Sequence, residues 1–263
     1  MLSKNTIKLI RQLEQKKHRL RTGLFVAEGP KVVGDLLLAG MEPEYLMATD
    51  MWMPPVGHEH TTAPGVFTLV SDEELQKLSF LQHPQQVLAV LHIPSAALAQ
   101  EYSLPREADS PTLPRLVLAL DGVQDPGNLG TIIRLADWFG ISLVVCSPDT
   151  ADAWSPKVVQ ATMGSIARVK LVYTDLKEYL NSSPLPVCGT LLDGDDIYST
   201  ELPREAIIVM GNEGNGISTE IRQLVSKPLL IPRFQPGAES LNVAIATAIT
   251  CAEFRRRTHV TLS

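Results

Sequence analysis

Three glycine-bearing loops hold the side chains with the most chemical potential. The first, Asp121-Gly122-Val123-Gln124-Asp125-Pro126-Gly127-Asn128-Leu129-Gly130, runs into a helical pattern that carries Arg134. The second is Gly211-Asn212-Glu213-Gly214-Asn215-Gly216, and the third runs from Ile231 through Pro232, Arg233 and Phe234 to Ser240, Leu241 and Asn242. Each follows an apolar run that reads as a buried strand. Parallel α/β sheets bind ligands just beyond the carboxyl ends of their strands, so the three loops converge on one edge. Singly, each passes as a turn, because glycine supplies positive φ and Asp-Pro-Gly-Asn is a common connector. Together they bring amide, carboxylate, hydroxyl and guanidinium groups to that edge.

Several chemistries are excluded. Gly-x-Gly-x-x-Gly is absent, since Gly211, Gly214 and Gly216 have the reverse spacing and Gly122, Gly127 and Gly130 are too far apart. A conventional dinucleotide site is therefore not expected, and no P-loop signature occurs either. No Gly-x-Ser-x-Gly elbow appears, and Ser240 opens a helix without a histidine partner. His58-Glu59-His60 resembles a metal pair but sits in a Pro- and Gly-rich loop without further ligands, and reads as solvated. No metal is expected.

The elements that must position these groups fall into an α/β pattern in two parts. Ser3 to Gly23 reads as one amphipathic helix, with Leu9, Leu13 and Leu20 on one face and basic residues on the other. Leu24–Ala27, Tyr45–Ala48, Val66–Val70 and Val87–Ile93 read as strands. A helix through Val32, Val33, Leu36 and Leu37 stops at Gly40, and Ser71-Asp72-Glu73-Glu74 is a capping-box pattern. This small α/β domain occupies 1–93. Pro94, Pro105, Pro111 and Pro114 punctuate a linker over 94–114. Beyond it, in 115–263, the strands Leu116–Leu120, Leu143–Cys146, Val187–Leu191, Ile207–Met210 and Leu229–Ile231 alternate with helices over Thr131–Phe139 and Lys157–Met163. Such near-continuous Val, Ile and Leu runs indicate a parallel sheet covered on both faces. The last helix is expected to start at Ser240 as N-cap and to end in Arg255-Arg256-Arg257, which suits the negative end of its dipole.

The 263 residues have 44% hydrophobic and 20% charged content, an ordinary globular composition. No run of apolar residues is long enough for a transmembrane helix, and the N-terminus has no secretory pattern. Cys146, Cys188 and Cys251 are too widely spaced for a metal knuckle or a disulfide framework, so a reducing cytoplasm is expected. The net charge of −6 divides unevenly: residues 1–31 carry +6 and the remainder −12. That asymmetry points to polyanion binding by the basic end, with a merely solvated helix face as the alternative. Lys16, Lys17, Arg19 and Arg21 are the candidate phosphate contacts.

The trio Asp-Pro-Gly-Asn-Leu-Gly-x-x-x-Arg, Gly-Asn-Glu-Gly-x-Gly-Ile and Ile-Pro…Glu-Ser-Leu-Asn-Val-Ala resembles the three motifs of the SpoU (TrmH) family of RNA ribose 2′-O-methyltransferases, within the SPOUT superfamily. The likeness spans about residues 116–257. The stretch from Lys17 to Val33, with Phe25-Val26-Ala27-Glu28-Gly29, also resembles the substrate-binding domain that precedes many such enzymes and is similar to an RNA-gripping ribosomal-protein fold. The resemblance implies a C-terminal α/β domain threaded into a trefoil knot, a pocket for S-adenosylmethionine, and pairing of two chains at the site. By motif, Gly211, Ile231 and Leu241 would touch the cofactor, mostly by backbone. Arg134, Asn128, Glu213, Ser240 and Asn242 would form the catalytic region. Ile-Pro-Arg replaces the Ile-Pro-Met of many members, in a longer loop.

The implied reaction transfers a methyl group from S-adenosylmethionine to a ribose 2′-hydroxyl of RNA, and it needs no metal. Arg134 suits it, because a guanidinium forks onto phosphate and stabilises developing negative charge. As a poor proton acceptor, it acts by position and charge before it acts as a base. Ribosomal RNA is favoured as substrate, because the N-terminal domain resembles those of ribosomal-RNA members. Transfer RNA methylation and a non-catalytic RNA-binding protein of the same fold are the alternatives.

Overall fold

The computed structural model describes residues 3–95, 113–237 and 239–258. Two compact units emerge, one of residues 1–99 with 152–168 and the other of 100–151 with 169–263. Domain limits at 93 and 115 follow the order of the chain; the units differ from that order at 152–168. Most of the expected linker, residues 96–112, lies outside the described residues.

In the first unit, the expected single helix from Ser3 to Gly23 is two. Helix α1 (Lys4–Gln12) is capped by the Ser3 side chain, which accepts from the Thr6 N–H. Helix α2 (Lys16–Thr22) begins afresh after Gln15 and ends at Gly23, whose φ of 67° is the left-handed conformation that lets its N–H reach back to Arg19. The break resets the helical phase. Ile10 and Leu13 are buried, but Leu20 is 61% exposed and Arg19 turns inward instead.

Strands β1 (Leu24–Glu28), β2 (Pro43–Ala48), β3 (Phe67–Leu69) and β4 (Val87–His92) form a sheet in the order β1-β4-β2-β3. β4 runs antiparallel to both neighbours, and β2 pairs with β3 in parallel. Helix α3 (Pro30–Leu38) starts with proline at its first turn. Helix α4 (Asp72–Leu78) carries the expected capping box between Ser71 and Glu74. Ile10, Leu13, Val26, Met47, Leu75, Leu78, Leu88 and Val90 make one face of the core.

The second unit is built on β5 (Leu116–Leu120), β6 (Leu143–Cys146), β7 (Lys170–Tyr173), β8 (Val187–Asp196), β9 (Ala206–Met210) and β10 (Lys227–Leu230). Their order is β10-β8-β9-β5-β6-β7, and every pairing is parallel. Central β5 and β9 are buried at all five positions each, as unbroken Val/Ile/Leu runs require. From β5 the chain first builds outward through β6 and β7. It then crosses to β8 on the other side and returns to β9. The order therefore reverses between β5 and β9, and a crevice beyond their carboxyl ends is the natural ligand position.

Helix α5 (Pro126–Trp138) begins five residues before the expected Thr131, since Asp125 caps it and Pro126 fits its first turn. Helices α6 (Pro156–Thr162), α7 (Leu176–Ser182) and α8 (Thr219–Arg222) follow, with α6 in the first unit. The last helix, α9 (Val243–Arg257), packs on α5. It starts later than expected. Asn242, not Ser240, is its N-cap, because the Asn242 carboxamide accepts from the N–H groups of Ala244 and Ile245. At its end Arg255 donates to the carbonyls of Pro114, Phe139 and Gly140, and Arg257 to those of Ile197, Tyr198 and Thr200. These arginines fasten the helix to neighbouring loops.

Candidate active site

The loop after β5 is stapled from below. Ser147 Oγ accepts from the Gly122 N–H at 2.9 Å, Thr150 Oγ1 donates to the Leu120 carbonyl, and the Ala151 N–H donates to Val123. The loop after β9 folds back on itself, with Asn212 and Gly216 exchanging two backbone hydrogen bonds of 2.9 Å. A Cβ on Gly211 would lie 2.2 Å from the Gly216 carbonyl carbon and 2.3 Å from the Ile217 nitrogen, so only glycine permits this fold-back. Asn212 then ties the two loops together. Its Nδ2 donates to the Gly122 carbonyl at 2.7 Å, while its Oδ1 accepts from the N–H groups of Gly214 and Asn215. Asp121 adds a second tie by accepting from the Ser218 N–H at 2.7 Å.

Glu213 is the hub above these ties. One carboxylate oxygen accepts from Asn128 Nδ2 at 3.0 Å and from the Asp125 N–H at 3.1 Å; the other accepts from the Gln124 N–H at 3.1 Å. Asn128 Oδ1 in turn accepts from Asn242 Nδ2 at 2.8 Å. A relay Glu213–Asn128–Asn242 thus joins all three loops and ends at the cap of α9. Partial burial pushes the Glu213 carboxyl up, but the donors from Asn128 and the backbone outweigh it, and its pKa falls below the usual carboxylate range. Glu213 is ionised and purely an acceptor at neutral pH.

Of the five residues expected in the catalytic region, the structure brings Asn128, Glu213 and Asn242 into contact. Arg134 and Ser240 are exposed, and among the described residues no side-chain hydrogen bond or ion pair engages either. Arg134 lies about two and a half turns along α5 from its Asp125 cap. Gly211 is buried, Ile231 is half-buried, and Leu241 is 50% exposed. Apolar side chains beside loop backbone at the ends of β9 and β10 suit an adenosyl group, whose flat base needs apolar cover and whose edges need backbone partners. Among the described residues no group of His, Cys, Asp and Glu is arranged to hold a metal ion. The three cysteines are buried and free, and burial pushes each thiol up to about 12, far from a nucleophile.

The ties made by Asn212, Asp121 and Ser147 went unread in the sequence. Asn212 had a local signal, because Gly-Asn-x-Gly is a pattern for an Asn side chain folding onto backbone two residues ahead. Ser147 had none, since its partner Gly122 is 25 positions away.

The candidate phosphate contacts divide. Lys16, Lys17 and Arg21 are exposed. Arg19 is only 2% exposed, and its guanidinium donates to the carbonyls of Leu13 and Glu14 and, through Nε and Nη2, to Asp152. Those bonds commit Arg19 to the interior, which removes it from the phosphate-contact set. No helix among the described residues is long and apolar enough to cross a membrane.

Residues 115–252 match the SpoU rRNA Methylase family, and residues 4–89 match the MRM3-like substrate binding domain. The chain is 33% identical over 251 residues to the 23S rRNA (guanosine(2553)-2'-O)-methyltransferase RlmP of Bacillus subtilis, covering 93% of this chain and 94% of that one. A TrmH-family protein from Porphyromonas gingivalis has a similar structure, with a TM-score of 0.82, 40% identity, and coverage of 98% of this chain and 99% of that one. An AdoMet-bound rRNA methyltransferase from Sinorhizobium meliloti has a TM-score of 0.81 and 32% identity, with 98% and 96% covered.

Proposed function

The chain belongs to the SpoU rRNA Methylase family, and from that premise we propose that it transfers a methyl group from S-adenosylmethionine to a ribose 2′-hydroxyl of ribosomal RNA, in the cytoplasm and as a homodimer. The observation that carries this reading is the Glu213–Asn128–Asn242 relay, which locks the three family motifs together at the switch point of the parallel sheet. Two relatives are also rRNA methyltransferases by name, and one of them binds AdoMet.

S-adenosylmethionine supplies, when bound, a methyl group activated on a sulfonium. Gly211, Ile231 and Leu241 would hold it at the ends of β9 and β10. What the chain must then do is align the ribose hydroxyl and make it more nucleophilic. Arg134 suits this task, since no ion pair or side-chain hydrogen bond engages its guanidinium among the described residues. It would grip ribose and phosphate and stabilise the charge that develops on oxygen. Glu213 is a poor proton acceptor, with a lowered pKa and donors on both oxygens. It acts through Asn128 as a positioning residue. Ser240 stands beside Asn242 on the loop that enters the site and is assigned a contact to substrate or cofactor.

Exposed apolar side chains on two packed helices support the dimer. Trp138 is 83% exposed one turn beyond Arg134 on α5, and Ile245 is 52% exposed on α9, the helix that packs on it. A second copy covering Trp138 would dry the surroundings of Arg134. The reading also includes the trefoil knot in the C-terminal unit. Lys16, Lys17 and Arg21 would give sequence-independent phosphate contacts from the first unit.

The test is methyl transfer to ribosomal RNA prepared from a strain lacking this protein. Label from S-adenosylmethionine should appear at a ribose 2′-oxygen, where it blocks alkaline cleavage of the adjoining phosphodiester. Label on a base, or none at all, would overturn the assignment.

A further inference from the structure

Phe234 is 88% exposed, and the core of the six-stranded unit closes without it. Its loop leaves β10 at Leu230 and returns at Asn242, which is bonded to Asn128. The ring is therefore tethered between the expected cofactor edge and the relay. Pro232 and Pro236 bracket it. Each fixes its own φ and restricts the residue before it, which limits the paths the chain can take on either side of the ring. A phenyl ring offers no hydrogen bond, only a π face and apolar surface. Among nucleic-acid surfaces the fitting partner is an unpaired base, since RNA readers stack such bases on aromatic side chains.

We infer that Phe234 stacks on an unpaired base of the ribosomal RNA substrate next to the ribose that receives the methyl group. This rests on the function proposed above. Phe234 is thereby a residue of substrate binding, acting on the RNA and not on the cofactor.

The experiment compares Phe234→Ala, Phe234→Leu and Phe234→Trp in methyl transfer to unmodified ribosomal RNA, with KM for RNA, kcat, S-adenosylmethionine affinity and solution mass all measured. Phe234→Ala should raise KM for RNA roughly 5- to 150-fold, the range that one base–aromatic stack supports. Its kcat, cofactor affinity and mass should stay unchanged. Phe234→Trp should restore KM and Phe234→Leu should not, which separates stacking from plain apolar contact. A KM within about twofold of wild type for Phe234→Ala, or equal rescue by leucine, overturns the inference. So does a loss of cofactor affinity, which would put the ring on adenine, or a loss of mass, which would put it in a subunit contact. If the wild-type protein methylates no ribosomal RNA, the proposed function itself falls and takes this inference with it. Normal wild-type turnover with an indifferent Phe234→Ala removes only the stacking.

Discussion

The chain builds two polar clusters, and they are put to opposite uses. In the first unit, Arg19 is enclosed with four hydrogen bonds to Leu13, Glu14 and Asp152, and none of its reach is left for a ligand. At the end of the six-stranded sheet, Asn128, Glu213 and Asn242 spend their bonds on one another, while the exposed Arg134 side chain, farther along α5, has no ion pair or side-chain hydrogen bond among the described residues. Both regions present arginine among Asp, Asn and Glu, and composition does not distinguish them. The difference lies in saturation. A buried cation with four of its five donors used by the protein is architecture, and an exposed one with its donors unused is available to a substrate.

The sharpest way to break this comparison is to remove Arg19. Arg19→Ala leaves the Asp152 carboxylate and two carbonyls without their partner, and breaking such a buried pair costs about 3–5 kcal/mol. Urea unfolding should show that loss, and Arg19→Lys should recover little, because an ammonium cannot span Asp152 and both carbonyls. The folded protein should bind RNA with an unchanged salt dependence. A flattened salt slope without lost stability would make Arg19 a phosphate contact after all.

A second test moves to the relay. Glu213→Gln turns one acceptor oxygen into a donor facing the N–H groups of Gln124, Asp125 or Asn128, so the loops should loosen and kcat should fall about tenfold. Because the folded-state pKa of Glu213 lies below the ordinary 4.5, its contribution is fully present above that value and is lost only as pH falls through the lower, folded-state pKa. The wild-type to variant rate ratio should therefore stay flat across the neutral and mildly acidic range. A ratio that titrates near neutrality would make Glu213 a proton acceptor in the reaction. The smallest effect is expected from the exposed basic residues. Replacing Lys16, Lys17 and Arg21 with glutamine should lower the logarithmic salt slope of RNA binding by roughly 2 to 2.7 in total, at about 0.7 to 0.9 per contact. Cofactor affinity, measured by calorimetry, should not change.

Legibility in the sequence followed the range of the interactions. Buried parallel strands such as Leu116–Leu120 and Ala206–Met210 announce themselves by unbroken apolar runs, and the Ser71 capping box by its four-residue pattern. The break at Leu13–Gln15 was hidden, because Leu9, Leu13 and Leu20 satisfy helical spacing, and only the packing of Arg19 against Asp152 resets the phase. The start of α9 shifted from Ser240 to Asn242 for a similar reason: both residues are good caps, and the bond from Asn242 to Asn128, 114 positions away, fixes where the helix begins. The packing of 152–168 with the first unit has no local signature either, since Ser155-Pro156 opens a helix equally well in any surroundings. Within the site, the loops and their polar residues were readable. Which of those residues bind each other and which remain open was not, because that is decided by contacts between distant strands.

The most direct test of the central claim, that the exposed Arg134 cation on α5 acts on the substrate, is single-turnover methyl transfer by Arg134→Ala, with S-adenosylmethionine affinity and solution mass measured on the same preparation. Loss of one preorganised charge should slow transfer on the order of 100- to 1000-fold while affinity and mass stay at wild-type values, with little rescue by Arg134→Lys. Near-normal transfer by Arg134→Ala would contradict the account.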